Sequence, residues 1–214
     1  LGHLAVVHSH PRWVVSALHD ALGGDPAETA ALLAADNAAP AVTLVARPGR
    51  SSVEELVAAG ARPGRWSPYA AVLDGGDPGA LAAVREQRAG VQDEGSQLVA
   101  LALAAAPLDG RDERWLDLCA GPGGKAALLG AVAHGRGAAL LAGEVAPHRA
   151  GLVRRAVGAD VTVVVADGRT PAWADGAFDR VLLDAPCTGL GALRRRPEAR
   201  WRRRPQDVPA LARL

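Results

Sequence analysis

The sequence predicts an α/β protein with a doubly wound, mainly parallel sheet, preceded by a small α+β domain. Three observations carry this expectation. From about Glu94 onward, short apolar runs alternate regularly with helical segments. Those runs are apolar almost throughout, as strands covered on both faces are. A glycine-rich turn leaves the first of them, and acidic residues stand just past the ends of the others, where open α/β sheets collect ligands.

The elements follow in order. Pro11 to Leu22 reads as a helix, with Pro11 at its first position and Gly23-Gly24 as its stop. Asp25-Pro26-Ala27-Glu28 has the shape of a capping box and opens an alanine-leucine helix to about Ala35. Ala41 to Ala46 reads as a strand, and Ser51-Ser52-Val53-Glu54-Glu55-Leu56 starts another helix. The stretch from Gly60 to Gly79 is rich in glycine and proline and reads as irregular connection. The small first domain is therefore expected over residues 1–77 and the second over 78–214. In the second, a helix from Glu94 to Ala106 leads to a strand at Trp115–Cys119 and a helix at Lys125–Val132. A strand at Ala139–Gly143, a helix at Pro147–Val157 and strands at Val161–Ala166 and Val181–Asp184 complete the series.

Composition narrows the function classes. With 49% hydrophobic and 22% charged residues the chain is ordinary globular material, not a disordered tail. Its longest apolar stretch, Leu98 to Pro107, falls well short of the roughly 18 residues that span a bilayer, so no membrane partner is expected. Cys119 and Cys187 lie far apart and outside any Cys-x-x-Cys pair. Neither a metal site nor a disulfide framework is expected, and a reducing, cytoplasmic compartment fits. A net charge of +1 excludes nothing, but Arg194, Arg195, Arg196, Arg200, Arg202, Arg203 and Arg204 crowd one segment around Trp201. Cations flanking an exposed aromatic ring suit a nucleic-acid strand, with the ring as a stacking platform, although a charge run can also be a plain solvated face. The chain starts at Leu1 and holds no methionine, so it reads as a piece of a longer translation product.

The strongest motif is Asp117-Leu118-Cys119-Ala120-Gly121-Pro122-Gly123-Gly124-Lys125, which passes from strand to helix through three glycines. Such a turn lets backbone N–H groups approach a ligand closely. A phosphate-binding P-loop is ruled out, because Cys119 and Ala126 stand where glycine and a hydroxyl residue are required. A dinucleotide fingerprint is weakened by Ala126 at its last glycine position but stays open. A methyl-donor loop suits the acid on the strand and the glycine turn. Glu144, a little over twenty residues beyond Gly121, stands where such folds place an acceptor for ribose hydroxyls, and Arg149 can brace it or reach the ligand. Asp167 after the third strand is placed to accept from an adenine amine. Asp184-Ala185-Pro186-Cys187 follows the fourth strand and can present a thiol to a substrate carbon, as methylation at carbon 5 of a pyrimidine requires.

Val91-Gln92-Asp93-Glu94-Gly95-Ser96-Gln97, the Asp117 to Lys125 loop, Asp184 to Gly191 and Arg195-Arg196-Pro197-Glu198-Ala199-Arg200-Trp201 together resemble the ordered motifs of the Sun (RsmB-like) RNA cytosine-5 methyltransferases. The resemblance implies a Rossmann-like methyltransferase sheet and S-adenosylmethionine as cofactor. It implies cofactor contacts by Cys119, Ala120, Gly121, Pro122, Gly123, Gly124, Lys125, Glu144, Arg149, Asp167 and Asp184, with Asp184 also contacting the target cytosine. RNA, in particular ribosomal RNA, is the implied partner, through Arg194, Arg195, Arg196, Arg200 and Trp201. Cys187 is implied to assist product release, whereas the attacking cysteine belongs to a Thr-Cys pair that is absent from these residues, so the sheet is expected to be incomplete at its carboxyl end. The alternative is a non-catalytic module of ribosome assembly that keeps both binding surfaces. Departures are mild: Glu144 replaces the commoner aspartate and Thr188 the commoner serine.

Overall fold

Three helices open the chain in the computed structural model, which describes residues 1–214: α1 (Gly2–Val7), α2 (Arg12–Ala21) and α3 (Pro26–Asp36). Pro11 stands at the N-cap position just outside α2, without a capping hydrogen bond, and does not occupy the first helical position. Asp25 caps α3 as its sequence predicts, accepting from the backbone of Ala27 and Glu28. Helix α1 was not expected; its six residues lack a side-chain cap, a proline or any other start signal. These helices share one compact unit, Leu1–Pro40 with Pro186–Leu214, while Ala41–Ala185 forms the other.

The larger unit begins with β1 (Val42–Ala46) and α4 (Val53–Ala58), the latter capped by the Ser52 hydroxyl. It continues with β2 (Arg62–Pro63), β3 (Ala70–Leu73), α5 (Ala82–Arg85) and β4 (Ala89–Val91). These strands make an antiparallel sheet in the order β2-β3-β1-β4. The connection expected from Gly60 to Gly79 therefore contains two strands, one of them, β3, buried along its whole length. Strand β4 pairs Ala89 with Ala46 and Val91 with Leu44, so the sheet continues past the boundary expected at residue 77.

Helix α6 (Glu94–Ala105) is fastened to this sheet by the first sequence motif. The fully buried Gln97 donates to the carbonyls of Leu44 and Gln92 and accepts from Ser67. Glu94 accepts from the backbone of Trp66 and Ser67. Then come β5 (Arg114–Asp117), α7 (Gly124–Gly135), β6 (Ala139–Glu144), α8 (Pro147–Val157), β7 (Thr162–Val165) and β8 (Arg180–Leu182). All pairings among these strands are parallel, in the order β7-β6-β5-β8. Each expected strand and helix of this half is present within a few residues of its expected limits, and the fold is the Rossmann-like, mainly parallel one that the sequence predicts.

Trp115 on β5 is fully buried at the centre of the core, among Ala126, Leu128, Leu129, Leu140 and Val153. Its indole N–H donates to Asp112, which also takes a two-pronged bond from Arg180 at the start of β8. Arg180 additionally donates to the carbonyls of Leu103 and Ala106 at the end of α6. One buried guanidinium thereby joins the end of a helix to the strand that flanks β5. The last two helices, α9 (Ala199–Arg202) and α10 (Asp207–Ala212), belong to the smaller unit. No helix is long and apolar enough to cross a membrane.

Candidate functional site

Because β5 to β8 run parallel, their carboxyl ends share one edge of the sheet, and that edge carries the chain's distinctive acids. Asp117 ends β5, Glu144 ends β6, Asp167 lies two residues beyond β7 and Asp184 two beyond β8. Between the first two, residues Leu118 to Gly123 form the turn into α7. Its backbone is held by Leu118 N–H to the Leu182 carbonyl and Ala120 N–H to the Gly143 carbonyl, each at 2.9 Å.

The glycines of the turn are required for two separate reasons. A Cβ on Gly121 would lie 2.1 Å from Glu144 Oε2 and 2.9 Å from the Arg149 guanidinium. Gly123 has a φ of 116°, and a Cβ there would meet Ala156 Cβ at 2.6 Å, so the turn packs directly against α8. Arg149 donates to the Gly121 carbonyl at 2.7 Å and pairs with Glu144 at 3.5 Å. Glu144 also accepts from the Ala146 backbone at 2.9 Å. Of the two alternatives for Arg149, the structure shows it bracing this acid and the turn.

Asp117 is the most perturbed group of this edge. It is 1% exposed, and neither carboxylate oxygen has a hydrogen-bond partner. The Cys119 amide helps the charged form without completing a bond. Burial pushes its pKa up to about 7; Lys125 opposes the shift, while Asp184 and Glu144 add to it. A buried carboxyl without a partner is costly, and such groups concentrate where a ligand supplies what the protein withholds. Lys125 itself pairs with Asp184 at 2.7 Å. Burial and the neighbouring acids Asp117, Glu144 and Asp184 push the Cys119 thiol up, so it stays protonated and is a poor nucleophile. Asp167 is gripped by Arg169 through the backbone N–H and the Nε and Nη2 groups of the guanidinium, which holds its carboxyl down at about 2.

The structure brings Cys119 to Lys125, Glu144, Arg149, Asp167 and Asp184 to the carboxyl edge of one sheet. It also brings there a residue with no role expected from the sequence, Gln92. That side chain is 7% exposed, has neither amide atom partnered, and lies beside Gly124. Its place in the first motif was the available signal; its isolation was not visible locally.

In the smaller unit, Cys187 is a free, exposed thiol, and Arg194, Arg195, Arg196 and Trp201 are also exposed, Trp201 by 63%. Arg200 departs from the expectation. It is 2% exposed and donates to the carbonyls of His8, Ser9 and Asp36 and to the Asn37 side chain. His10, for which the sequence shows no partner, packs into the same cluster, 3.7 Å from Asp36. Arg200 is thus a bolt between α9 and the opening helices and is not available to RNA phosphates, which corrects the RNA-binding role expected of it. Arg203 similarly fixes the loop after Cys187 by donating to the Thr188 carbonyl at 2.9 Å.

A parallel sheet of this order, with a glycine turn after its first strand and acids along its carboxyl edge, defines a Rossmann-like fold whose ligands bind at that edge. Comparison with known proteins agrees. The chain superposes on the crystal structure of PH0851 with a TM-score of 0.86, at 24% identity, covering 99% of this chain and 49% of that one. It superposes on NSun6 from Pyrococcus horikoshii, solved with SFG, with a TM-score of 0.76 at 16% identity, covering 95% of this chain and 77% of that one. Residues 102–214 match the family described as 16S rRNA methyltransferase RsmB/F, and the chain belongs to that family. A putative methyltransferase of Mycobacterium tuberculosis, Rv1407, is 57% identical over the whole of this chain, which spans 47% of the relative's length. Ribosomal RNA small subunit methyltransferase B of Escherichia coli is 41% identical over 140 residues, 63% of this chain and 31% of that protein.

Proposed function

We propose that this chain carries the S-adenosylmethionine site and part of the RNA-contacting surface of an enzyme that methylates carbon 5 of a cytosine in ribosomal RNA. The observation that carries the reading is the partnerless, buried carboxyl of Asp117 beside a glycine turn at the carboxyl edge of a parallel sheet. It calls for a cationic ligand group, and the amino-acid end of S-adenosylmethionine bears one. Glu144 and Asp167 stand as acceptors for ribose hydroxyls and an adenine amine, and the family membership points the same way. A nicotinamide dinucleotide has no ammonium for Asp117, which disfavours the dinucleotide reading of the glycine turn.

S-adenosylmethionine supplies an electrophilic methyl group. The chain's own residues bind and orient it: the Gly121 to Gly124 turn permits close approach, Arg149 stiffens that turn, and the Glu144 carboxylate disfavours a 2′-phosphate. Asp184, held by Lys125, serves as the cytosine contact, and the exposed Arg194, Arg195, Arg196 and Trp201 engage the RNA strand. Carbon 5 becomes nucleophilic only after a thiolate adds at carbon 6. Cys119, kept protonated, is unsuited to that attack. In this reading the attack falls to the Thr-Cys cysteine of the family pattern, a pair these 214 residues lack, and Cys187 assists product release.

The test uses the full-length gene product, S-adenosylmethionine and 16S rRNA tritiated at carbon 5 of its cytosines. Methyl incorporation with equal tritium release, retained adduct formation in Cys187→Ala and impaired turnover are expected. Methyl transfer without tritium release would place the chemistry elsewhere on the RNA. Cofactor and RNA binding without transfer would favour the non-catalytic assembly module.

A further inference from the structure

Helix α7 begins at the glycine turn without a side-chain cap, so the N–H groups of its first turn face the same edge of the sheet as Asp117. Twelve residues long, it carries the positive end of its dipole there. Two side chains flank this turn with their polar atoms unsatisfied. Asp117 is an acceptor without a donor; Gln92 has both its amide nitrogen and its amide oxygen unpaired. Gln92 Cδ lies 3.8 Å, and its Nε2 4.0 Å, from the point where a Cβ on Gly124 would sit, so the amide is set against the first residue of α7. No protein group pairs with this amide. The neighbouring Gln97, by contrast, spends its amide on the carbonyls of Leu44 and Gln92 and on the Ser67 hydroxyl. A residue that only filled space would be cheaper as leucine, because each buried polar atom without a partner destabilises the fold.

A zwitterion meets these needs together. Its ammonium answers Asp117, and its carboxylate answers the uncapped helix start. We infer that Gln92 is a further cofactor-binding residue, whose amide N–H donates to the carboxylate of the amino-acid end of S-adenosylmethionine at the first turn of α7. The inference rests on the cofactor reading proposed above and adds to it the recognition of one end of the ligand. It separates two classes of ligand: S-adenosylhomocysteine, which keeps the amino-acid end, and 5′-deoxy-5′-methylthioadenosine, which keeps the nucleoside and the sulfur but has no amino-acid end.

The test is calorimetric titration of both ligands into the wild type, Gln92→Leu and Gln92→Glu, with urea unfolding of each unliganded protein. Gln92→Leu should weaken S-adenosylhomocysteine by about tenfold or more, the loss expected for one hydrogen bond to a charged group, and leave methylthioadenosine within about twofold. Gln92→Glu should weaken S-adenosylhomocysteine further, because two carboxylates then face each other. Unliganded Gln92→Leu should be as stable as the wild type or more so. Equal losses for both ligands, unchanged S-adenosylhomocysteine affinity, or a destabilised Gln92→Leu protein would each overturn the inference. A wild type that binds neither ligand would instead remove the cofactor reading on which it rests.

Discussion

Replacing Asp117 by asparagine should make the unliganded chain more stable at neutral and alkaline pH while weakening its hold on the cofactor. The carboxyl is 1% exposed and its pKa is raised from 3.8 to about 7, first by burial and then by Asp184 and Glu144 against the opposing Lys125. A raised carboxyl favours the folded state in its protonated form. Its contribution is therefore complete below about pH 4, erodes as pH rises from 3.8 to about 7, and is lost above that. A shift of about three units corresponds to roughly 4 kcal/mol, an order-of-magnitude ceiling since Lys125 can adjust. Asparagine keeps the shape and cannot ionise, so Asp117→Asn should match the wild type near pH 4 and exceed it by up to about 4 kcal/mol at pH 8. Urea unfolding of the two proteins between pH 4 and pH 8 reads the difference directly. Titration with S-adenosylhomocysteine should show the opposite order: wild-type affinity falls as pH drops below about 7, and the variant binds weakly at every pH. Parallel stability profiles for the two proteins, or equal affinity at pH 8, would refute the reasoning.

Glu144→Ala and Asp167→Ala should each weaken S-adenosylhomocysteine by about tenfold in calorimetry, since each leaves a ligand donor without its acceptor, at about 1–3 kcal/mol. Unchanged affinity in both would show the site to be misplaced. Gly123→Ala forces a side chain into a φ of 116° and against Ala156, and should cost about 2–4 kcal/mol in denaturant unfolding. The exposed Arg196, Arg202 and Arg204 changed together to glutamine should flatten the salt dependence of RNA binding by about 0.7 for each phosphate no longer neutralised, with cofactor affinity unmoved. Arg200→Gln should behave differently: it strips the buried bonds to His8, Ser9, Asp36 and Asn37 and should lower stability by about 3 kcal/mol or more, with a smaller effect on the salt slope.

The parallel half of the protein was legible because its signals are local. Each strand is a short apolar run between helices, and Pro147 or a glycine turn marks where helices begin. Of the antiparallel half, only β1 and α4 were. β2 has two residues, β4 is Ala-Gly-Val, and β3 is a four-residue run set among glycines and prolines. Only pairing makes strands of them, β3 and β4 with β1 and β2 with β3. The acids of the site were legible by their position after strands, yet the burial of Asp117 and Gln92 without partners depends on residues distant in sequence. Arg200 reads as one charge in a run of arginines. Its acceptors lie among residues 8 to 37, far earlier in the chain, and no local pattern announces them.

The most direct test of the central claim is a crystal structure of the protein with S-adenosylhomocysteine. The ligand is expected at the carboxyl edge of the parallel sheet, with its ammonium at Asp117, its carboxylate at the start of α7 beside Gln92, its ribose hydroxyls on Glu144 and its adenine amine near Asp167. A ligand bound anywhere else, or bound there with its amino-acid end turned away from Asp117, would contradict that claim.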